Sequence, residues 1–243
     1  MRKPGRALLA CAALATVAAA PAKQAAQAAG PDPDNPSCPG KPEWGPLKVM
    51  TITPAVKDGK HILILEGVVE ETLPARLKAA IAKDDQVEEI WLKSRGGDAE
   101  AGNAAGRVIR SFPGMATRIP AGWTCFSSCN FIFMGGDRRY VDAGGVFMVH
   151  MFTHTQDRDV IDLSVEEGTE ETIKLIGEIE QSSALLASED NDFLIRMGIS
   201  RKLLTDVMYK QQAVASGANK STRYCLSQAE VRKYNVVPLE TTG

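Results

Sequence analysis

The sequence predicts an α/β fold from three observations. Apolar strand-like runs alternate with segments of helical periodicity, as in the β-α-β step between His61 and Lys93. The chain has 243 residues, of which 44% are hydrophobic, so it can bury a full core, and we expect one domain rather than two. Between Thr124 and Phe133, two cysteines bracket two serines and an apolar helix-like run follows at once. The rest of the chain is organised around this last stretch.

The N-terminus is typical of a secretory signal peptide. Basic residues within positions 1–6 precede an apolar run from Ala7 to Ala20, and alanine-rich cleavage options follow. We expect a signal peptide over residues 1–22, with cleavage between 22 and 30. The run is too short to span a bilayer, so no spanning segment is expected in the mature chain. A lipoprotein-like box ending at Cys11 is the alternative, although the apolar run continues well past it.

A proline-rich leader is expected over residues 23–46, ahead of a domain over residues 47–243. Six of the sixteen residues from Pro31 to Pro46 are proline, which opposes regular structure. The composition therefore predicts a stiff, extended tether between the signal peptide and the domain.

Charge and motif content argue against several classes of function. The formal net charge is −2, and −5 once residues 1–22 are removed, so no nucleic-acid partner is expected. Three scattered histidines do not make a zinc site. The pair Gly96-Gly97 lacks the further glycines of a dinucleotide fingerprint. We therefore expect no metal and no cofactor.

The cysteines predict disulfides. Loss of Cys11 leaves four cysteines, an even number in a chain that we expect in the periplasm or secreted, where disulfides persist. Three pairings are open, and we favour Cys125 with Cys129, across the serines, and Cys38 with Cys225, which would join both ends. A purely buried helical role for Cys129 is the alternative.

The remaining elements follow from periodicity and turn residues. Strands are predicted at 47–53, 61–69, 87–93, 116–119, 140–141 and 146–150. Helices are predicted at 70–83, 99–112 and 130–134, then as a long helix opening at Ser164 with a capping box and as a shorter helix at 200–209. Residues 152–163 are expected to be an irregular, lid-like loop.

Three features of the sequence indicate a candidate reactive site. Ser127 precedes a short helix, where backbone N–H groups and the helix dipole favour developing negative charge. Gly96 and Gly97 follow an apolar strand, and His150 closes another. Each feature also has a plain structural interpretation: serine as a helix cap, Gly-Gly as a turn and histidine as a strand-end residue.

The order of these features resembles a known family. A Ser-x-Gly-Gly sequence from Ser94 to Gly97, a serine opening a helix, and a histidine 23 residues later resemble the Clp protease proteolytic subunit and its crotonase-fold relatives. The segment 125–129, with Gly136-Asp137-Arg138-Arg139 after it, resembles a Cys-x-Ser-Ala-Cys pattern of uncharacterised Clp-like periplasmic proteins. The resemblance covers roughly residues 47–237. It implies a crotonase/ClpP-like fold, built from repeated β-β-α units with a C-terminal helical segment. It also implies that a small helix after Cys225 returns the chain to a final strand at 234–237.

The resemblance also implies roles for individual residues. Ser127 would be the nucleophile and His150 the base, while N–H groups of Gly96 or Gly97 and of Ser128 would form the oxyanion hole. These roles predict an exported serine hydrolase, peptidase-like, that acts on a peptide or another acyl substrate without an ATPase partner. A homo-oligomer is left open. The alternative is a non-catalytic binding or scaffold protein of the same fold.

The sequence departs from the family pattern at the third member of the triad. The stretch 221–227, where the family carries an aspartate, has no carboxylate. The substitutes that we consider are Asp190, Asp192, Asp206, Thr222 and a backbone carbonyl. Ser128 also replaces the usual alanine, and His154 is a weaker second choice as base. A Ser–Lys variant would need a lysine such as Lys174.

Overall fold

The computed structural model describes residues 30–238, so the expected signal peptide over residues 1–22 lies outside the described residues. Eight strands are present in residues 30–238: β1 (Thr51–Lys57), β2 (Lys60–Glu66), β3 (Val87–Lys93), β4 (Ala116–Ile119), β5 (Thr124–Phe126), β6 (Arg138–Val141), β7 (Val146–His150) and β8 (Arg223–Cys225). The same range contains six α-helices: α1 (Leu73–Lys83), α2 (Ala99–Arg110), α3 (Cys129–Met134), α4 (Arg158–Glu167), α5 (Thr169–Arg196) and α6 (Gln228–Lys233). A π-helical turn (Leu203–Val207) and a 3-10 turn (Met208–Lys210) follow α5.

The strands form two sheets. The larger sheet has the order β1-β2-β3-β4-β6, and the smaller sheet has the order β5-β7-β8. In the larger sheet β2, β3, β4 and β6 are parallel, while β1 pairs with β2 antiparallel at the edge. In the smaller sheet β5 and β7 are parallel, and β8 is antiparallel to β7.

Strand-strand-helix units repeat along the chain. In the unit β4-β5-α3, the first strand joins the larger sheet and the second joins the smaller one. The unit β6-β7-α4 repeats this arrangement, and α5 with the turns after it completes a C-terminal helical segment. The predicted α/β class, with repeated β-β-α units and a C-terminal helical segment, is confirmed by this architecture.

Two glycines of α2 allow it to lie close against α3. A Cβ atom at Gly102 would lie 2.7 Å from the Cβ of Ser128, and one at Gly106 would overlap the carbonyl oxygen of Phe131. Real Cβ atoms do not approach this closely, so this contact depends on glycine at both positions. It holds the start of α3, and Ser128 with it, against α2.

Some strand boundaries differ from the sequence prediction. The first strand begins at Thr51 rather than 47 and continues through Pro54, which an edge strand tolerates. The final strand that the resemblance implies at 234–237 is not formed. Instead, Asn235 adopts φ 56° and the Val237 N–H donates to the Val231 carbonyl, so the chain caps the C-terminus of α6.

The prediction for the segment after β7 was wrong beyond residue 157, whereas residues 152–157 are irregular as predicted. The segment predicted to be irregular, 152–163, already contains the start of α4. Ser164 lies inside that helix, and its Oγ donates to the Ile161 carbonyl rather than capping a new helix. The break comes at Gly168, whose φ of 114° is accessible mainly to glycine. The long helix α5 starts there.

The proline-rich segment packs on the domain instead of extending from it as a tether. Cys38 is bonded to Cys225 at a Cα–Cα distance of 5.0 Å. Asp32 pairs with the Arg223 guanidinium at 2.9 Å, and the Asn35 side chain accepts from the Arg223 N–H. Residues 30–46 are thus held against β8 by contacts to residues far away in sequence.

The helices α4 and α5 expose several large apolar side chains. Val160, Leu163, Ile173, Ile176 and Leu185 are each at least half exposed. A homo-oligomer stays a prediction. None of the helices within residues 30–238 combines the length and apolar character that crossing a bilayer requires.

Candidate active site

Ser127 occupies a tight turn between β5 and α3. Its φ of 59° lies in the left-handed region, which a residue other than glycine adopts at a cost. The end of β3 holds this turn in place, because the Ser94 N–H donates to Thr124 and the Phe126 N–H donates to Ser94. A strained serine at a strand-to-helix turn presents its Oγ to the outside of the turn rather than to the helix.

A disulfide spans the same turn. Cys125 lies in β5 and Cys129 is the first residue of α3, with a Cα–Cα distance of 5.4 Å. Because Cys125 precedes the helix, this distance is comfortable for a disulfide. The bond closes a short loop that contains Ser127 and Ser128.

His150 ends β7 and contacts Ser127 directly. The distance between His150 Nε2 and Ser127 Oγ is 2.7 Å. The parallel pairing of β5 with β7, in which Phe126 lies opposite Met148, brings the two strand ends together. The Phe126 ring also packs against the imidazole, with ring centroids 4.7 Å apart.

Burial lowers the pKa of His150 below the ordinary histidine value of about 6.5, although a hydrogen bond with the Met151 backbone acts in the opposite direction. At neutral pH the imidazole is therefore predominantly uncharged. With its proton on Nδ1, the ring can accept a proton at Nε2, the nitrogen that faces Ser127.

The two glycines after β3 play different structural parts. The Gly96 N–H donates to Ser94 Oγ at 3.0 Å, so this donor is used. A Cβ at Gly96 would lie 2.7 Å from Ser127 Cβ and 2.9 Å from Ser128 N, so glycine is needed for the close approach. Within residues 30–238, the N–H groups of Gly97 and Ser128 have no hydrogen-bond partner.

No carboxylate in the described part of the chain contacts His150. The three aspartates considered as a third member each have other partners: Asp190 accepts from Asn103, Asp192 pairs with Arg196 and Asp206 accepts from Thr205. Thr222 is held through its backbone, whose N–H donates to the Asn35 side chain. Lys174 pairs with Glu171 on the exposed side of α5, away from Ser127.

A small cavity of about 30 Å³ adjoins Ser127 and His150. This space holds roughly one water molecule. Ser128 and Asp190 supply polar groups to its lining, and the Tyr209 hydroxyl lies 3.5 Å from the Asp190 carboxylate. The rest of the lining is mostly apolar and comes from Ala99, Phe131, Phe152, Leu186 and Met208.

Burial raises the pKa of Asp190 to about 6, against the stabilising hydrogen bonds from Asn103 and Tyr209. Asp190 is 4% exposed. The sequence named this residue only as one of several substitutes for the orienting acid of His150, whereas in the structure it lines the cavity and accepts from Asn103. The packing of α5 over Ser127 leaves no local signal that would have singled it out.

A second serine–histidine contact lies elsewhere, between the loop after β7 and α5. His154 Nδ1 is 2.8 Å from Asp157 Oδ2, and His154 Nε2 is 3.4 Å from Ser182 Oγ. Ser182 Oγ also donates to the Ile179 carbonyl within its own helix. Sequence reasoning did not find this trio, since Ser182 is 28 residues from His154.

Among residues 30–238 there is no group of three or more His, Cys, Asp and Glu side chains that could hold a metal ion.

Comparison with known proteins finds similarity in backbone structure but not in sequence. No protein-family model and no curated protein sequence matches the chain. Among solved structures, the chain is similar to a mutant of ClpP1 from Listeria monocytogenes, with 14% identity over 72% of this chain and 88% of the other, at a TM-score of 0.48. It is also similar to an enoyl-CoA hydratase from Shewanella pealeana, with 10% identity over 76% of this chain and 66% of the other, at a TM-score of 0.43. Both scores are below 0.5, so the fold assignment rests on the strand order and connections of this chain.

Proposed function

We propose that the chain is an exported serine hydrolase of peptidase-like chemistry, with Ser127 as nucleophile and His150 as general base. The observation that carries the proposal is the 2.7 Å contact between Ser127 Oγ and His150 Nε2 at a strained strand-to-helix turn. Strained backbone is concentrated at functional sites, and a buried, uncharged imidazole is the form that accepts a proton.

In the proposed reaction, Ser127 Oγ attacks the carbonyl carbon of the substrate while its proton passes to His150 Nε2. The new C–O bond leaves a negative charge on the carbonyl oxygen, which the N–H groups of Gly97 and Ser128 stabilise. His150 then gives the proton to the departing amine or alcohol as the second bond breaks. Water repeats the sequence on the acylated serine, which releases the acid and restores Ser127.

The proposal assigns the first oxyanion donor to Gly97 rather than Gly96. The Gly96 N–H already donates to Ser94 Oγ, whereas the Gly97 N–H has no partner among residues 30–238. Gly96 instead provides space, since any side chain there would meet Ser127 and Ser128.

His150 would work without an orienting carboxylate. The Phe126 ring and the Met151 backbone are the neighbours that restrain the imidazole. An orienting acid improves a serine–histidine pair but does not define it, so slower chemistry is expected than from a complete triad.

The proposed substrates are peptides, exposed loops of proteins or other acyl compounds, processed without an ATPase partner. The cavity of about 30 Å³ is too small for a side chain, so a substrate must displace part of its lining. Leu186 and Met208 are the apolar residues that cover it from the C-terminal helical segment.

Export is part of the proposal. The disulfides Cys38–Cys225 and Cys125–Cys129 support it, because such bonds persist in oxidising compartments. Mass spectrometry of the natively expressed chain should find an N-terminus between Lys23 and Pro31. A chain that retains Met1 in the cytoplasm would contradict export.

A fluorophosphonate probe, which reacts with activated serines, tests the catalytic proposal. The wild-type protein should be labelled, and Ser127→Ala should abolish labelling because the nucleophilic oxygen is removed. Ser128→Ala is the matched control, since it keeps the backbone donor and should retain most of the labelling rate.

A non-catalytic binding or scaffold protein is the second candidate. It is favoured by one observation: within the described residues, no carboxylate contacts His150. Folded wild-type protein that never reacts with the probe, or that reacts equally well as Ser127→Ala, would favour this candidate.

A further inference from the structure

Asp190 is a buried carboxylate without an ion-pair partner in the described part of the chain. It lies on α5 and faces the cavity that Ser127 and His150 also line. Within residues 30–238, no Lys, Arg or His nitrogen approaches it within 4.0 Å. Arg107 acts only from a distance, and its guanidinium lies over the Phe193 ring. Buried charges are normally paired, so an unpaired one beside a reactive serine needs a reason.

The hydrogen bonds of Asp190 leave acceptor capacity unused. Asn103 Nδ2 donates to one carboxylate oxygen at 3.0 Å, but the Tyr209 hydroxyl is 3.5 Å from the other, at the limit of a hydrogen bond. A carboxylate has about four acceptor positions. Ser128 Oγ, which is buried and lines the same cavity, has no partner among residues 30–238. The Asp190 carboxylate and Ser128 Oγ can therefore both accept further hydrogen bonds from a ligand in the cavity.

The remaining lining of the cavity is mostly apolar. Phe131, Leu186 and Met208 are apolar, and Asp190 lines the same cavity as Ser127 and Ser128. Apolar walls with an acceptor group among them suit a side chain with an aliphatic stem and a cationic end.

We propose that Asp190 is the specificity residue of this cavity and selects a Lys or Arg side chain on the acyl part of the substrate. The proposal rests on the function proposed above. The cationic end replaces the Tyr209 hydroxyl as a hydrogen-bond donor to Asp190, and it also donates to Ser128 Oγ. The turn Met208–Lys210 must move outward to admit the side chain, because the present space is only about 30 Å³.

Two serine-reactive probes that differ in one group test the proposal. Both are diphenyl phosphonates, one built on lysine and the other on norleucine, which has the same aliphatic stem but no ammonium group. In each, Ser127 Oγ forms a bond to phosphorus, phenoxide leaves, and the serine proton passes to His150. The wild-type protein should react with the lysine probe about 10- to 100-fold faster, the range for one charge-assisted hydrogen bond in a desolvated site.

The readout is the ratio of the two rates in each variant. Asp190→Asn keeps the shape of the side chain and removes its charge, so the ratio should fall towards one. Asp192→Asn is the matched control on the same helix, because Asp192 is exposed and pairs with Arg196. Its ratio should equal that of the wild type. A purely structural role of Asp190 would alter stability and both rates without altering the ratio.

If Asp190→Asn does not fold, the pH dependence of the ratio in the wild-type protein tests the specificity role of Asp190. The ratio should rise with pH as Asp190 loses its proton near its pKa of about 6. The groups that face Asp190 are Asn103 and Arg107 on α2, Glu189 on α5, Tyr209 on the 3-10 turn, and His150 across the cavity. His150 serves both probes, so its titration cancels in the ratio, and the lysine ammonium stays charged throughout.

The outcomes separate this proposal from the function on which it rests. Equal labelling of Ser127 by both probes, or a lysine preference that survives in Asp190→Asn, overturns the specificity role and leaves the hydrolase proposal intact. A wild-type ratio that is flat from about pH 5 to pH 8 also overturns the specificity role. No labelling of Ser127 by these probes or by the fluorophosphonate overturns both.

Discussion

Residues 30–238 contain two serine–histidine contacts, one with a carboxylate partner and one without. Ser182, His154 and Asp157 have the order of a complete serine–histidine–aspartate triad, with an Asp–His distance of 2.8 Å. Ser127 and His150 have no carboxylate partner in the described residues, yet their contact is shorter, 2.7 Å against 3.4 Å.

The two sites differ in the backbone around the serine. Ser182 lies inside α5, where its hydroxyl donates to the Ile179 carbonyl. The N–H groups around it are used in the hydrogen bonds of the helix. Ser127 lies at a strained turn, next to the N–H groups of Gly97 and Ser128, which are unpaired within residues 30–238. An acyl-transfer site needs donors for the oxyanion as much as it needs a base. A triad of side chains alone is therefore a poor guide to reactivity.

The largest expected effect concerns the two histidines. His150→Ala should lower the rate of fluorophosphonate labelling by roughly 10²–10⁴-fold, the usual cost of losing a general base. His154→Ala removes the other histidine and should change the rate little. Labelling rates of the two variants, measured side by side, would contradict this comparison if the second fell as far as the first.

Two glycines with similar backbone angles test the role of the turn. Gly96 has φ 85° and Gly122 has φ 79°, but only the first is crowded, by Phe126, Ser127 and Ser128. Gly96→Ala should lower the labelling rate by about 10²–10³-fold, because its Cβ would displace the Ser128 N–H, one of the two proposed oxyanion donors, and loss of one such donor has this effect. Gly122→Ala carries the same backbone cost without the crowding and should label normally. Circular dichroism of both variants establishes that they are folded. Similar rates in the two would show that crowding at the turn is irrelevant.

A smaller effect is expected in the dependence on pH. A general base acts when it is uncharged, and burial lowers the pKa of His150 below about 6.5. The labelling rate should therefore reach half of its plateau below pH 6.5 and be lost only in more acidic solution. A midpoint at or above pH 6.5 would contradict His150 as the base.

The parts of the fold that the sequence predicted well depend on local patterns. The strands β3, β4 and β7 begin and end where periodicity places them, and α2 begins at the predicted residue 99. Ser127 and His150 were also placed on the right elements, because a turn after a strand and a strand end are both local features. Their mutual distance follows from the pairing of β5 with β7, for which only the order of motifs gave a hint.

The parts that the sequence did not predict depend on distant contacts. Asp190 joins the cavity only because α5 packs over the turn, and its partner Asn103 is 87 residues away. The Cys38–Cys225 bond was predicted, but the packing of residues 30–46 also depends on Asp32 and Asn35 meeting Arg223, which the sequence did not indicate. At Ser164 a capping-box pattern was present, but the backbone break came at Gly168, where φ is positive. Local sequence cannot decide among such competing signals.

The most direct test of the account is to identify which serine carries the label. Wild-type protein is treated with a fluorophosphonate, digested and mapped by tandem mass spectrometry, with Ser182→Ala as the matched variant. The account predicts one adduct, on Ser127, that is formed at the same rate in wild type and Ser182→Ala. An adduct on Ser182 that disappears in Ser182→Ala, with Ser127 unmodified, would contradict it.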